Sequence, residues 1–370
     1  MMGVVALPVK RKVELIGVAS GIGGADAACA EAPARLAAEG LALTLRARGL
    51  DAAWGPIFQA ERSATAAAAV SRLCGRLASH VTETIRAGRV ACVLGGDHTC
   101  AAGTWAGAAR ALAARGPLGL IWIDAHMDSH TPRTSPTGSL HGMPLAALLG
   151  QCEAEFPDLG PAPLAAHNVC LVAVRSFEPA EARLLQRLGV RVFFMDEIWQ
   201  RGIAAVLADA LEIVKAHTAG FGVTLDLDAL DPLEAPAVAT PAPGGLRART
   251  LLAALARLLQ EPALVGFELA EYSPRRDRGG CTARLIVELL SAALSGGYAM
   301  PWSAAEAETE YGARNYDPLP IVLERGEGAW LWDENGGRYL DMMSAYSAVS
   351  HGHAHPRLVA ALTAQARTLA

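Results

Sequence analysis

Short apolar runs that are rich in β-branched residues recur along the chain, and a helical pattern follows most of them. Together they predict seven strands, at residues 13–19, 90–94, 118–123, 169–174, 190–194, 221–225 and 264–267. The amphipathic segments between them, such as 33–48, 64–87 and 183–188, are suited to covering both faces of a sheet. Strands that alternate with helices predict an α/β domain with a mostly parallel sheet.

The pattern changes near residue 300, where the predicted last helix of this domain, 282–294, is followed by Ser295-Gly296-Gly297. Residues 301–310 are aperiodic and rich in Ala and Glu, which predicts a linker. From residue 311 a Pro-Leu-Pro turn precedes two aromatic-rich, strand-like runs. The predicted organisation is therefore a domain at 1–300, a linker at 301–310 and a short second segment at 311–370, which ends in a helix at 356–370 with Leu358, Val359, Leu362 and Leu369 on one face.

Composition narrows the class of protein. Of 370 residues, 52% are hydrophobic and 19% are charged, the net charge is −5, and the basic residues are scattered, which favours a small-molecule partner over nucleic acid or a membrane. The seven cysteines are widely spaced and form no Cys-x-x-Cys pair, as is typical of reduced thiols. No apolar run has the length of a signal sequence or a membrane span, so we expect a cytoplasmic protein.

Carboxylates or histidines stand at the ends of four predicted strands. The sequences are Gly-Gly-Asp-His-Thr at 95–99, Asp-Ala-His-Met-Asp at 124–128, Asp-Leu-Asp at 226–228 and Glu-Leu-Ala-Glu at 268–271. Ligands of parallel α/β sheets bind beyond the carboxyl ends of the strands. We therefore expect these side chains to converge on one site.

The residue types in this set point to a metal. In Asp124-x-His126-x-Asp128 the spacing places three side chains on one side of an extended segment. One such residue alone is more often a helix cap, but six buried, unpaired ionisable groups would cost several kcal/mol each. Imidazole and carboxylate without thiolate favour Mn²⁺ over Zn²⁺ or Mg²⁺. Two ions suit six ligands better than one, which predicts metal-assisted hydrolysis.

The combination of motifs resembles the ureohydrolase family, and arginases above all. It comprises Gly-Gly-Asp-His, Asp-Ala-His-x-Asp, the stretch Ser-Leu-His-Gly-Met-Pro at 139–144, Asp-Leu-Asp-Ala-Leu-Asp-Pro at 226–232 and Glu-x-x-Glu-Tyr-Ser-Pro at 268–274. The resemblance covers about residues 13–297 and, because several motifs combine, is far more specific than a single short motif. It implies a three-layer α/β/α sandwich, two manganese ions per chain and a homo-oligomer, a trimer or hexamer.

The same resemblance implies roles for individual residues. One manganese would be held by His98, Asp124, Asp128 and Asp226, and the other by Asp124, His126, Asp226 and Asp228. A hydroxide between the ions would attack the guanidinium carbon of the substrate and release urea and an amine. Asp128 would pass a proton to the leaving amine, His141 would act as a proton shuttle, and Glu271 would anchor the guanidinium group.

The far end of the substrate distinguishes members of this family. The polar loop 130–139, with His130, Thr137 and Ser139, suits a carboxylate, and Glu178 stands where arginases keep an acidic partner for the α-ammonium group. These residues favour L-arginine, which would give L-ornithine and urea. Arginases commonly have Asn where this chain has His130 and Ser139, and Ser in place of Thr137. Agmatine, or another guanidino compound, is therefore the alternative substrate.

Residues 311–370 resemble the amino-terminal part of ornithine aminotransferase, for example in Tyr-Gly-Ala-Arg-Asn-Tyr at 311–316 and Gly-His-Ala-His-Pro at 352–356. Ornithine is what an arginase releases, so this pairing favours arginine as the substrate. No lysine follows Lys215, so we do not expect this chain to bind pyridoxal phosphate as a Schiff base. An alternative function, of a different class, is that of a non-catalytic remnant or regulatory part of an aminotransferase fusion. The intact set of metal ligands argues against this alternative.

Overall fold

Residues 12–161, 163–258, 261–295, 321–333 and 336–369 are described in the computed structural model. The chain divides into two compact units, residues 1–298 and 299–370. The predicted linker and the glycines after the helix 282–294 lie outside the described residues. Within the described ranges, no helix is both long enough and apolar enough to cross a membrane.

The first unit is built on an eight-stranded sheet in which every neighbouring pair of strands is parallel. The spatial order is β2-β1-β3-β8-β7-β4-β5-β6. The strands are β1 (Lys12–Ala19), β2 (Asp51–Gln59), β3 (Val90–Leu94), β4 (Leu118–Ile123), β5 (Val169–Val174), β6 (Arg191–Phe194), β7 (Gly220–Asp226) and β8 (Leu264–Ala270). The prediction of an α/β protein with a mostly parallel sheet is confirmed.

Ten helices described in this unit cover the two faces of the sheet. They are α1 (Ala32–Ala38), α2 (Leu41–Ala47), α3 (Ala66–Arg86), α4 (Cys100–Leu112), α5 (Pro144–Leu148), α6 (Pro179–Leu188), α7 (Met195–Arg201), α8 (Ile203–Lys215), α9 (Ala248–Leu258) and α10 (Cys281–Ser295). Helices α3 to α6 share one apolar cluster, and α1, α2 and α7 to α10 share the other. Alternate residues of β4 enter alternate clusters, Trp122 one and Ile123 the other, so the sheet is the middle layer of a three-layer sandwich.

Two details differ from the sequence prediction. The predicted helix 33–48 is broken into α1 and α2 at Gly40, whose φ of 79° is left-handed. Strand β2 was not predicted, because it is a half-exposed edge strand that contains Gly55 and Pro56. Proline is tolerated there because one side of an edge strand needs no donor for a neighbour.

The second unit contains a small antiparallel sheet of three strands, β9 (Leu323–Glu327), β10 (Trp330–Asp333) and β11 (Arg338–Leu340), in the order β11-β10-β9. A helical turn at Ser344–Ser347 and a final helix, Pro356–Thr368, follow. The predicted apolar face of this helix is exposed, with 54% of Leu358 and 72% of Leu362 accessible to solvent.

Candidate active site

The four strands whose ends carry polar side chains lie next to one another, in the order β3-β8-β7-β4, at the centre of the sheet. Their carboxyl ends therefore open onto one crevice. We call the side chains that meet there the His–Asp cluster, and it consists of His98, Asp124, His126, Asp128, Asp226 and Asp228. All but His126 are buried. The convergence expected from the sequence is present in the structure.

One end of the His–Asp cluster is centred on His98. Its Nδ1 atom lies 3.2 Å from Asp124 Oδ2, 2.9 Å from Asp128 Oδ2 and 3.0 Å from Asp226 Oδ2. Neither ring nitrogen of His98 makes a hydrogen bond among the described residues, and Asp128 Oδ2 is likewise unsatisfied. A buried nitrogen that faces three carboxylate oxygens without bonding to any of them fits a shared cation better than a hydrogen-bond network.

The other end is centred on His126. Its Nδ1 atom lies 3.1 Å from Asp228 Oδ2 and 3.5 Å from Asp124 Oδ1. His98, Asp124 and Asp128 form one group with ligand atoms close enough to hold an ion, and Asp124, His126 and Asp228 form a second. Because Asp124 belongs to both groups, the two ligand sets are adjacent.

Burial and mutual repulsion among the carboxylates perturb their protonation. Burial raises the pKa of Asp228 to about 6, with the Asp124 charge acting in the same direction. The pKa of Asp226 rises well above its usual value because it is buried beside Asp228 and Asp124. Asp124 is buried too, but the nearby imidazole rings of His126 and His98 lower its pKa. So many buried carboxylates in contact require cations, and a site of this composition fits divalent metal ions.

Backbone conformation and hydrogen bonds orient several of these side chains. Asp128 and Glu271 adopt left-handed φ angles of 45° and 69°. The Asp128 carbonyl accepts from the Leu145 amide at 3.0 Å, and the Glu271 amide donates to the Gly96 carbonyl at 2.8 Å. Trp122 Nε1 donates to Asp124 Oδ2 at 2.9 Å and so orients that carboxylate. These contacts hold the ends of different strands in a common geometry.

Glu271 and His141 form a pair at the wall of the crevice. Glu271 Oε1 accepts from the His98 amide at 2.8 Å and lies 3.1 Å from His141 Nδ1. Burial alone would lower the pKa of His141, but the bond to Glu271 raises it to about 9. The His141 side chain is 20% exposed, whereas Glu271 is 2% exposed, so the imidazole connects a buried carboxylate to solvent.

A third polar group lies further along the same crevice. His130 Nε2 is 2.9 Å from Glu178 Oε2 and 3.4 Å from Glu181 Oε2. Glu178 and Glu181 also form the capping box at the start of α6. Burial raises the pKa of Glu181 to about 8. All three residues line the crevice, as do Asp226, Asp228 and Thr240.

The structure brings most of the predicted site residues together. Thr137 and Ser139 lie in the same loop as His130 and His141 but do not line the crevice, and the Thr137 hydroxyl accepts from the Ser139 amide at 3.2 Å. Glu181 was missed by the sequence analysis, although Glu178-x-x-Glu181 before a helix is a recognisable capping signal. The part of Thr137 and Ser139 in substrate binding stays a prediction.

Arg175 is a further residue whose role the sequence did not reveal. Its guanidinium group donates to three successive carbonyls after β7, those of Asp228 (2.6 Å), Ala229 (3.2 Å) and Leu230 (3.3 Å). Asp97 acts similarly after β3, since its carboxylate accepts from the Ser20 hydroxyl and the Gly23 amide, both at 3.0 Å. These hydrogen bonds leave no pattern in the sequence, because the bonded residues are distant from each other in the chain.

The parallel sheet and the His–Asp cluster at its carboxyl edge are features of a ureohydrolase-type α/β protein. The model of the Arginase family matches residues 11–296, and the chain therefore belongs to this family of hydrolases. A class-III aminotransferase model matches residues 311–370, in agreement with the resemblance of that segment.

Individual relatives support the same assignment. The chain is 41% identical over 218 residues to an arginase of Brevibacillus brevis, which covers 58% of this chain and 72% of the relative. The crystal structure of arginase from Bacillus subtilis superposes with a TM-score of 0.72 at 31% identity, over 78% of this chain and 100% of that one. The arginase structure from Bacillus caldovelox gives a TM-score of 0.73, also at 31% identity, over 78% and 99%.

Proposed function

We propose that this chain hydrolyses L-arginine to L-ornithine and urea with two bound manganese ions. The observation that carries the proposal is the pair of adjacent His–Asp ligand groups joined through Asp124. Named arginases among its relatives support arginine as the substrate.

One ion would be held by His98, Asp124, Asp128 and Asp226, and the other by Asp124, His126, Asp226 and Asp228. The unsatisfied Nδ1 atom of His98 and the crowded carboxylates support this ligand set. A bound pair of divalent ions lowers the pKa of a coordinated water and polarises the group under attack, which is the chemistry that cleavage of a guanidinium C–N bond needs.

The protein side chains would orient the substrate and move protons. Glu271, buried beside His98, would bind the guanidinium group by charge-assisted hydrogen bonds. Asp128, whose carboxylate lines the crevice beside the proposed ions, would carry a proton to the leaving amine. His141, which is partly exposed and bonded to Glu271, would exchange that proton with solvent.

The amino-acid end of the substrate would lie toward His130, Glu178 and Glu181. Glu178 is 54% exposed at its side chain and would pair with the α-ammonium group. The α-carboxylate would extend beyond the crevice toward Thr137 and Ser139, which lie outside its lining in the loop that begins at His130. Agmatine lacks this carboxylate and would leave its partners unpaired.

A comparison of substrates tests this assignment. With Mn²⁺ present, kcat/KM for urea release should be at least about tenfold higher with arginine than with agmatine, because one lost charged contact is worth about 1.5–3 kcal/mol. Glu178→Gln should reduce the difference in kcat/KM between arginine and agmatine, because it raises KM for arginine. The matched control Glu153→Gln, in an exposed turn, should leave this difference unchanged. Equal efficiencies with the two substrates would assign the chain to agmatine instead.

We further propose that the hydrolase comprises residues 1–300, that 301–310 is a linker, and that 311–370 takes no part in urea formation. The two compact units support this division.

The thiols of all seven cysteines are free, which supports a reducing, cytoplasmic setting. A homo-oligomeric assembly, trimer or hexamer, remains the expectation from the family resemblance.

Deletion of the second unit should leave the chemistry intact. A chain cut after Gly297 should keep its kcat for arginine within about twofold and become more soluble, because Leu358 and Leu362 no longer expose apolar surface. The measurements are urea release and the protein concentration at which aggregation begins. Loss of Mn²⁺ binding or unfolding of the shortened chain would show that the boundary is wrong.

A further inference from the structure

Glu268 is a buried carboxylate that the proposed mechanism does not use. It lies inside β8, between Val93 of β3 and Thr224 of β7, and is fully inaccessible to solvent. Burying a carboxylate this deeply is costly unless it is bonded and paired. Among the described residues, its ion-pair partner is the imidazole of His98, at 3.7 Å between Glu268 Oε2 and His98 Nε2.

This contact lies on the side of the His98 ring opposite the carboxylates. Nδ1 faces Asp124, Asp128 and Asp226, whereas Nε2 faces Glu268. The ring also lies against Trp122, with 4.7 Å between centroids and 30° between planes. Trp122 therefore restricts the tilt of the ring, while Glu268 favours the rotation that presents Nδ1 to the metal side.

Glu268 is itself held in place by neutral donors. Cys100 Sγ donates to Glu268 Oε1 at 2.9 Å, and the Thr224 hydroxyl donates to Glu268 Oε2. The Thr224 oxygen in turn accepts from Trp105 Nε1 at 2.6 Å. None of these donors carries a positive charge, so the negative charge of Glu268 stays available to His98.

We propose that Glu268 is a positioning residue that acts through His98: when metal binds, its carboxylate, now 3.7 Å away, accepts a hydrogen bond from the Nε2–H group of His98 and so holds Nδ1 as a metal ligand. This inference rests on the proposed function, because it assigns His98 to a metal. Carboxylates that hold the free nitrogen of a ligating histidine fix its orientation and increase its basicity. Their loss typically weakens metal binding by about 10–100-fold.

The test compares two variants of the same buried network. Glu268→Gln keeps the shape of the side chain but removes the charge, and should raise the Kd for Mn²⁺ about 10–100-fold in a direct titration. Excess Mn²⁺ should restore kcat, with KM for arginine unchanged. The matched control Trp105→Phe breaks the bond to Thr224 without touching Glu268, and should lower Tm while leaving the Kd within about threefold.

An unchanged Kd for Glu268→Gln, or equal weakening in both variants, would overturn the role of Glu268. A parent chain that binds no Mn²⁺ would instead overturn the proposed function. If Glu268→Gln does not fold, a crystal structure of the full parent chain grown with Mn²⁺ decides. The proposal expects His98 Nδ1 on the ion and Nε2 within hydrogen-bond distance of Glu268, and any other partner for Nε2 contradicts it.

Discussion

Removing divalent metal from this chain should abolish urea release from arginine, and adding Mn²⁺ should restore it better than adding Zn²⁺ or Mg²⁺. Among the described residues, the candidate ligand atoms in the crevice are carboxylate oxygens and imidazole nitrogens, with no thiolate, and such a mixed set favours Mn²⁺. The measurement is urea release after dialysis against a chelator, followed by titration with each ion. Full activity in thoroughly metal-free protein would contradict the proposed mechanism.

Metal removal should also destabilise the fold. Buried Asp226 and Asp228 repel each other and Asp124, so an ion that binds only the folded chain stabilises it. At a Mn²⁺ concentration of about 100 times Kd, the gain is about 2.7 kcal/mol, which Tm should report. Asp226→Ala should abolish this Mn²⁺-dependent rise in Tm, whereas Asp196→Ala, at an exposed position on α7, should retain it.

Asp128→Asn should reduce kcat for arginine by about 10²–10⁴-fold, the usual contribution of a positioned proton-transfer group. The amide keeps the shape of the side chain but cannot carry the proton and is a poorer metal ligand. KM should change much less than kcat, because Glu271 and the residues near Glu178 still bind the substrate.

Two comparisons make this result interpretable. The assay at saturating Mn²⁺ separates a loss of chemistry from a loss of metal, and Asp196→Asn serves as the matched control on an exposed carboxylate. If Asp128→Asn raised KM and left kcat within about threefold, Asp128 would belong to substrate binding and not to proton transfer.

The central strands were predictable because their local pattern is strong. Strands β3, β4, β5 and β7 are buried along their whole length, and such strands appear in the sequence as continuous apolar runs. The edge strand β2 has no such pattern. Half-exposed residues and a proline such as Pro56 are tolerated in an edge strand. They do not form the apolar run by which a buried strand is recognised in a sequence.

The chemistry of the candidate site was predictable for a different reason. Asp124, His126 and Asp128 are close in the sequence, so one extended segment presents them together. Glu181 was not assigned to the site, and Glu268 was grouped with the strand ends without a role of its own, because their significance comes from His130 and His98, which are far away in the chain. A carboxylate within a strand or at a helix start gives no local sign of such a partner.

The sequence by itself determined the α/β class, the residue types of the His–Asp cluster and the strand ends that carry them, since each depends on neighbours a few residues apart. Only the tertiary structure decided that β3, β8, β7 and β4 lie side by side, and that Glu271 meets His141. It also showed that Thr137 and Ser139 do not line the crevice. Strand order and loop placement follow from the packing of helices on both faces of the sheet, which is a long-range energy that no local pattern contains.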